Sequence, residues 1–121
     1  MDNRDYYPVY WKKIESGESP YFDIVKVLIQ MLKEEIEREI YSGYDGDFYR
    51  TITKNELTNK IEENKIEVTP HTIGKVVISF LKHKELPHIK TARNYQEITY
   101  NRETIEELEE WIENTTKSKK K

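Results

Sequence analysis

Apolar side chains recur at intervals of three and four along most of the chain, and short capping motifs break the pattern into elements. Phe22, Val25, Leu28, Leu32 and Ile36, joined by Ile29 and Ile40, follow helical spacing, with Lys33, Glu34, Glu37 and Arg38 on the opposite side. They predict a long amphipathic helix over residues 20–41, opened by Ser19 as N-cap and Pro20 at the first helical position, and ending near Ser42-Gly43. Ahead of it, residues 1–19 carry Tyr6, Tyr7, Pro8, Tyr10 and Trp11 before Ser16-Gly17, and read as a loosely structured aromatic arm. Phe48 to Ile52 predicts a short strand. Thr53-Lys54-Asn55-Glu56 is a capping box, with Ile52 and Leu57 at the spacing of a hydrophobic staple, and opens a second helix to about Asn64. Thr69-Pro70 opens a third, in which Ile73, Val76, Val77, Phe80 and Leu81 form one apolar stripe. Leu86–Lys90 and Tyr95–Tyr100 predict two strands around the turn Thr91-Ala92-Arg93-Asn94. A last helix from Asn101 buries Ile105, Leu108, Trp111 and Ile112, and the polar residues 114–121 predict a disordered basic tail. One domain over 20–113, flanked by the arm and the tail, is the expected organisation.

A length of 121 residues suits one domain, and equal charged and hydrophobic fractions of 36% imply a modest, well-solvated core. There is no cysteine, which excludes disulfides, thiolate metal sites and a thiol nucleophile. No apolar run reaches the length of a membrane span, and Met1 to Tyr7 lacks the apolar stretch of a signal peptide, so a cytoplasmic location without membrane contact is expected. The net charge of −3 hides an asymmetry. Residues 1–50 carry 7 basic and 11 acidic side chains, whereas residues 69–93 set Lys75, Lys82, Lys84, Lys90 and Arg93 against Glu85 alone. His71, His83 and His88 fall in the same window. A basic segment within an acidic chain points to an anionic partner.

The predicted order of helix, short strand, two helices joined by the turn Lys65-Ile66-Glu67-Val68, β-hairpin and final helix resembles the winged helix-turn-helix DNA-binding superfamily. The resemblance covers residues 21–113 and rests on this order and on the helix start Thr69-Pro70-His71-Thr72-Ile73-Gly74-Lys75. It is nearest to small archaeal or viral regulators and to the winged-helix modules of plasmid and viral primase–helicases. The resemblance implies an α+β winged-helix fold in which Leu86–Tyr100 is the wing. The function it implies is DNA binding in replication or transcription regulation, in an archaeal plasmid or virus.

The residues supply a physical case as well. With the apolar stripe inward, the third helix shows His71, Thr72, Lys75, Ser79 and Lys82 outward, donors and acceptors suited to base edges and phosphates. Thr69 and Thr72 could donate to a phosphate at the helix N-terminus. Lys90 and Arg93 flank the hairpin turn, within reach of the backbone or a minor groove. Duplex DNA is the preferred ligand, with single-stranded DNA second. Four or five phosphate contacts would give a salt slope of roughly −4. The same positions also fit an ordinary solvated surface. Thr69 is a cap with or without DNA, Gly74 would either let backbone or DNA approach closely or simply relieve crowding against the first helix, and Lys90 and Arg93 suit any exposed turn. Ile78 lies off the core stripe and is unexplained.

The alternative is a protein-interaction module within a primase–helicase complex, with the 20–41 helix and the aromatic arm meeting a replication protein or a second copy. Other chemistry finds little footing. His83 and His88 are five apart, which does not align two ligands on one helix face. Asp45, Asp47 and Glu56 mimic three positions of a calcium loop, but Tyr49 and Arg50 replace its fifth-position ligand and its glycine. Gly17, Gly43, Gly46 and Gly74 build no phosphate-binding loop, and no nucleophile accompanies a histidine in a known arrangement. The expectation is a non-enzymatic protein with neither metal nor cofactor.

Overall fold

Three polar side chains start three of the helices. Thr53 and Thr69 hold extended backbone and accept from the amides of Glu56 (3.0 Å) and Thr72 (3.3 Å), while Asn101 Oδ1 accepts from Thr104 (2.9 Å). Each bond satisfies one of the amides that a helix start leaves without a partner. In the computed structural model, which describes residues 6–38, 48–84, 86, 88–92 and 95–119, the elements are α1 (Tyr6–Glu15), α2 (Tyr21–Arg38), β1 (Phe48–Thr53), α3 (Lys54–Glu63), α4 (Pro70–His83), β2 (His88–Ala92), β3 (Tyr95–Tyr100) and α5 (Arg102–Lys119).

The expected α+β winged-helix class is corrected: the described chain is mostly helical. Its helices run 10, 18, 10, 14 and 18 residues, against strands of 6, 5 and 6. The described apolar core lies on helices except for Ile52, Leu86, Ile98 and Tyr100. The strands pair antiparallel in the order β1-β3-β2 as a small marginal layer. The outer pair slips register between Ile89 and Ala92, and the turn residues 93–94 lie outside the described ones, so a hairpin wing is not defined.

Much of the extra helix comes from the two ends. The predicted loose arm is instead α1, with Pro8 in its first turn, where a missing amide costs no helical hydrogen bond. Trp11 and Ile14 are buried, and α1 packs on α4 and α2. Gly17, at φ 73°, ends α1 in a Schellman turn: Gly17 donates to Ile14 (3.0 Å) and Glu18 to Lys13 (3.0 Å). The predicted disordered tail is helical to Lys119, and Thr115 is buried.

α2 sits at the centre. Phe22, Ile24, Val25, Val27, Leu28, Ile29, Met31, Leu32 and Ile36 are all buried, an apolar arc of about 220° at 100° per residue. It touches α1, α3, α4, α5 and β1. Ser19 does not bond to a helix-start amide in the predicted manner; its hydroxyl donates to Asp23 Oδ2 (2.8 Å), and the helix begins at Tyr21. The segment 39–41, predicted to finish this helix, lies outside the described residues. Tyr100 on β3 donates its buried hydroxyl to the Leu32 carbonyl (2.8 Å), tying the sheet to α2. Lys33 reaches Glu109 on α5 (2.8 Å), and this hydrogen bond, followed by the carboxylate charge, raises the Lys33 pKa. Both side chains are well exposed, so the bridge contributes at most about 1 kcal/mol.

α3 and α4 are joined by a tight turn. Lys65 donates to Glu62 (2.9 Å) and Ile66 to Ile61 (3.2 Å), a second Schellman closure. Here Lys65, at φ 59°, occupies the left-handed position.

The burial of α1 has a direct test. Ile14→Ala should destabilise the protein by about 3 kcal/mol in urea unfolding, the usual cost of emptying a closed apolar site. A change within about 0.5 kcal/mol, typical of an exposed position, would mean that the segment is an undocked arm after all.

Candidate nucleic-acid interface

Helix geometry sorts the side chains of α4. His71, Lys75, Ile78 and Lys82 follow one another at four, three and four residues and share an outward stripe about 60° wide, opposite the buried Ile73, Val76, Val77, Phe80 and Leu81. His71 and Lys82 are exposed, and Lys75 and Ile78 partly so. The stripe collects three of the predicted DNA-contacting side chains and adds Ile78.

Ser79 leaves the set. It is 1% exposed, and its hydroxyl donates to the Lys75 carbonyl (2.7 Å). One turn further along the same side, His83 stacks on Trp11 of α1 (3.8 Å between centroids, 14° between planes), so this is the flank of α4 that α1 covers. An outward Ser79 follows only if residues 6–15 are a loose arm. Thr69 and Thr72 are engaged with each other: Thr69 Oγ1 accepts from the Thr72 amide, and their hydroxyl oxygens lie 3.0 Å apart. Pro70 has no amide hydrogen and Ile73 donates to the Thr69 carbonyl (3.1 Å). Of the first-turn amides, the cap therefore leaves only that of His71 for an anion. Lys90 is placed through its backbone alone, in β2, and Arg93 lies outside the described residues.

Gly74 borders the stripe in mid-helix. A methyl group added there would meet nothing within 4 Å, so the expectation that it relieves crowding against another helix is corrected. It carries the ordinary glycine penalty of about 1 kcal/mol relative to alanine, and no packing in the described chain offsets it.

The other end of α4 holds a cluster that sequence reasoning missed. Lys84 Nζ lies 4.6 Å from the Trp111 ring centroid and 5.5 Å from that of Trp11, and the two indoles stack at 5.8 Å. Phe22 meets Trp111 edge-on at 5.6 Å and Phe80 lies 6.0 Å from it. Burial lowers the Lys84 pKa, and the charges of Glu15 and Glu107 oppose that shift only in part. The run Lys82-His83-Lys84 and two tryptophans a hundred residues apart were the available signal, but only the docking of α1 and α5 unites them. Lys84 is thereby withdrawn from the basic surface as a ring-packed ammonium.

The surface that the sequence assigned to partner contacts is largely occupied. The apolar arc of α2 is covered by its own chain, and of the arm aromatics Trp11 is buried and Tyr10 packs against Tyr21 (5.7 Å). An open groove of about 380 Å³ runs between the polar side of α2 and the end of α3, lined by Asp23, Lys26, Gln30, Glu34, Lys60 and Glu63 among others. Among the described residues, no helix is long and apolar enough to cross a membrane, and no group of three or more His, Asp or Glu side chains is arranged to hold a metal ion.

Lys84 makes a prediction about pH. Its native pKa lies below the unfolded one, so between the two the unfolded chain binds more protons and stability rises with pH. The cost of holding the buried charge is present below the lowered pKa and is relieved as pH approaches the ordinary value of 10.5. In urea titrations from pH 7 upward, wild-type stability minus that of Lys84→Met should therefore increase with pH; a constant difference would contradict the burial of this ammonium.

Comparison of the chain with protein-family models, with curated proteins and with solved structures finds no match in any of the three.

Proposed function

We propose that this protein is a non-enzymatic DNA-binding domain that lays the outward stripe of α4 along duplex DNA. The observation that carries this is the stripe itself. His71, Lys75 and Lys82 stand on one side of one helix, in a segment, 69–93, that sets five basic residues against one acidic one. Such a face offers phosphate contacts from its lysines and base-edge contacts from His71, and its 14-residue helix is long enough to lie in a major groove. The roles assigned to it are replication or transcription regulation, and Lys90 and Arg93 remain further DNA-backbone contacts on the strength of the sequence alone. Thr69 and Thr72 cap the helix, and of their two hydroxyl hydrogens one is used between them, which leaves the other to donate to a phosphate. A second function, as an interaction domain within a replication complex, is favoured by one feature, the mixed-charge groove between α2 and α3.

The two part cleanly in solution. Fluorescence anisotropy with duplex and single-stranded DNA across a salt series should show tighter duplex binding and a log–log salt slope of roughly −3 to −4. Lys75→Glu/Lys82→Glu should abolish it while circular dichroism and the melting temperature report a folded protein. Wild-type protein that binds neither DNA at 100 mM salt, or a folded double reversal that binds as well as wild type, would refute DNA recognition by this stripe. A partner still captured by the double reversal, but lost on charge reversal of Lys26 and Lys60, would establish the groove.

A further inference from the structure

We infer that Gly74 and Ile78 form an apolar notch on α4 that receives the C5-methyl group of thymine in the major groove, an inference that rests on the DNA-binding proposal above. Two independent observations meet here. Gly74 keeps a helical position bare although a side chain would have open space. Its backbone conformation is not one reserved for glycine, since the one glycine with positive φ among the described residues is Gly17. Neither packing nor dihedral strain within the described chain calls for glycine, and the bare position admits close approach by a body outside it. One turn on, Ile78 is partly exposed and, among the described residues, is not part of the apolar core cluster or its flanking side chains. A bare backbone position and a branched aliphatic side chain, four residues apart, make a shallow apolar recess.

What surrounds the recess selects its occupant. Lys75 follows Gly74 directly and Lys82 lies one turn beyond Ile78, about 10 Å apart along the axis at 1.5 Å per residue, with His71 one turn before Gly74. Their four-carbon side chains extend that reach, so the two ammonium groups can meet phosphates on opposite walls of a major groove roughly 12 Å wide while the helix between them faces base edges. The apolar group displayed on those edges is the thymine methyl. A plain acidic peptide would match the cations but leave Ile78 facing carboxylates.

The test compares thymine with deoxyuridine, which lacks only that methyl. Duplexes enriched from a random pool are resynthesised with deoxyuridine at single thymine positions, and Kd is read by anisotropy for the full chain, Ile78→Ala and Gly74→Ala. For the wild type, one position should lose about four-fold in affinity, the worth of one buried methyl. Ile78→Ala should bind the thymine site about four-fold more weakly and no longer distinguish the two bases. Gly74→Ala should hold or raise the melting temperature yet weaken binding about ten-fold. Salt-dependent binding with equal affinity for thymine and deoxyuridine at every position would overturn the notch and leave the DNA-binding proposal standing. Gly74→Ala that binds as tightly as wild type would overturn it too. Loss of all duplex binding, or displacement of the duplex by a poly-glutamate peptide regardless of base, would overturn both.

Discussion

A helix apolar around most of its circumference cannot be satisfied by a single neighbour, and α2 is such a helix. Its buried arc must be covered from several directions at once, so α1, α3, α4, α5 and β1 all converge on it. The polar remainder, from Asp23 through Lys26, Gln30, Lys33 and Glu37, marks the narrow side left to solvent or to exposed bridges such as Lys33–Glu109. Removing apolar surface from water is the dominant favourable contribution to folding, and here most of it is organised about one axis. The sheet serves the same end: Ile52, Ile98 and Tyr100 turn inward, and the Tyr100 hydroxyl is anchored on the α2 backbone.

This arrangement fixes what the other helices can offer. α4 spends one side on α2 and a flank on α1, which buries Ser79 and stacks His83 on Trp11. The stripe of His71, Lys75, Ile78 and Lys82 remains outward, with Gly74 at its border. The cations of α4 are thereby divided. Lys82 stays on the outer surface, whereas Lys84 lies over two indoles with its charge partly withdrawn from water. Two lysines two positions apart come to have different roles, because α1 and α5 bring Trp11 and Trp111 to the Lys84 end of the helix.

The departures from the sequence reading have a common origin. α1 was invisible because its inward set is short, centred on Trp11 and Ile14, and is embedded among aromatics and a proline that favour helix only weakly. Missing it led to an outward Ser79 and to a free aromatic arm. The end of α5 was hidden similarly, since Asn114-Thr115-Thr116 has poor helix propensity and is held by burial of Thr115, by the Thr116 bond to the Ile112 carbonyl (2.8 Å) and by the Lys117–Glu113 pair (3.1 Å). The winged-helix class failed at larger scale: nearly all of the described core lies on helices, α1 adds one more, and the strands are left marginal.

Local chemistry alone determined where α3 and α4 begin, which side of α4 is apolar and where the basic residues gather. Each of these depends on hydroxyl caps, residue period and composition within a few turns of chain, interactions that short segments make on their own. Tertiary structure alone decided which polar residues of α4 remain outside, that Gly74 has room it does not use, and that Trp11, Trp111, His83 and Lys84 form one cluster. Those outcomes turn on contacts between elements distant in sequence, above all α1 and α5 against α4, and a periodic pattern specifies an inward face without naming the partner that will cover its flanks.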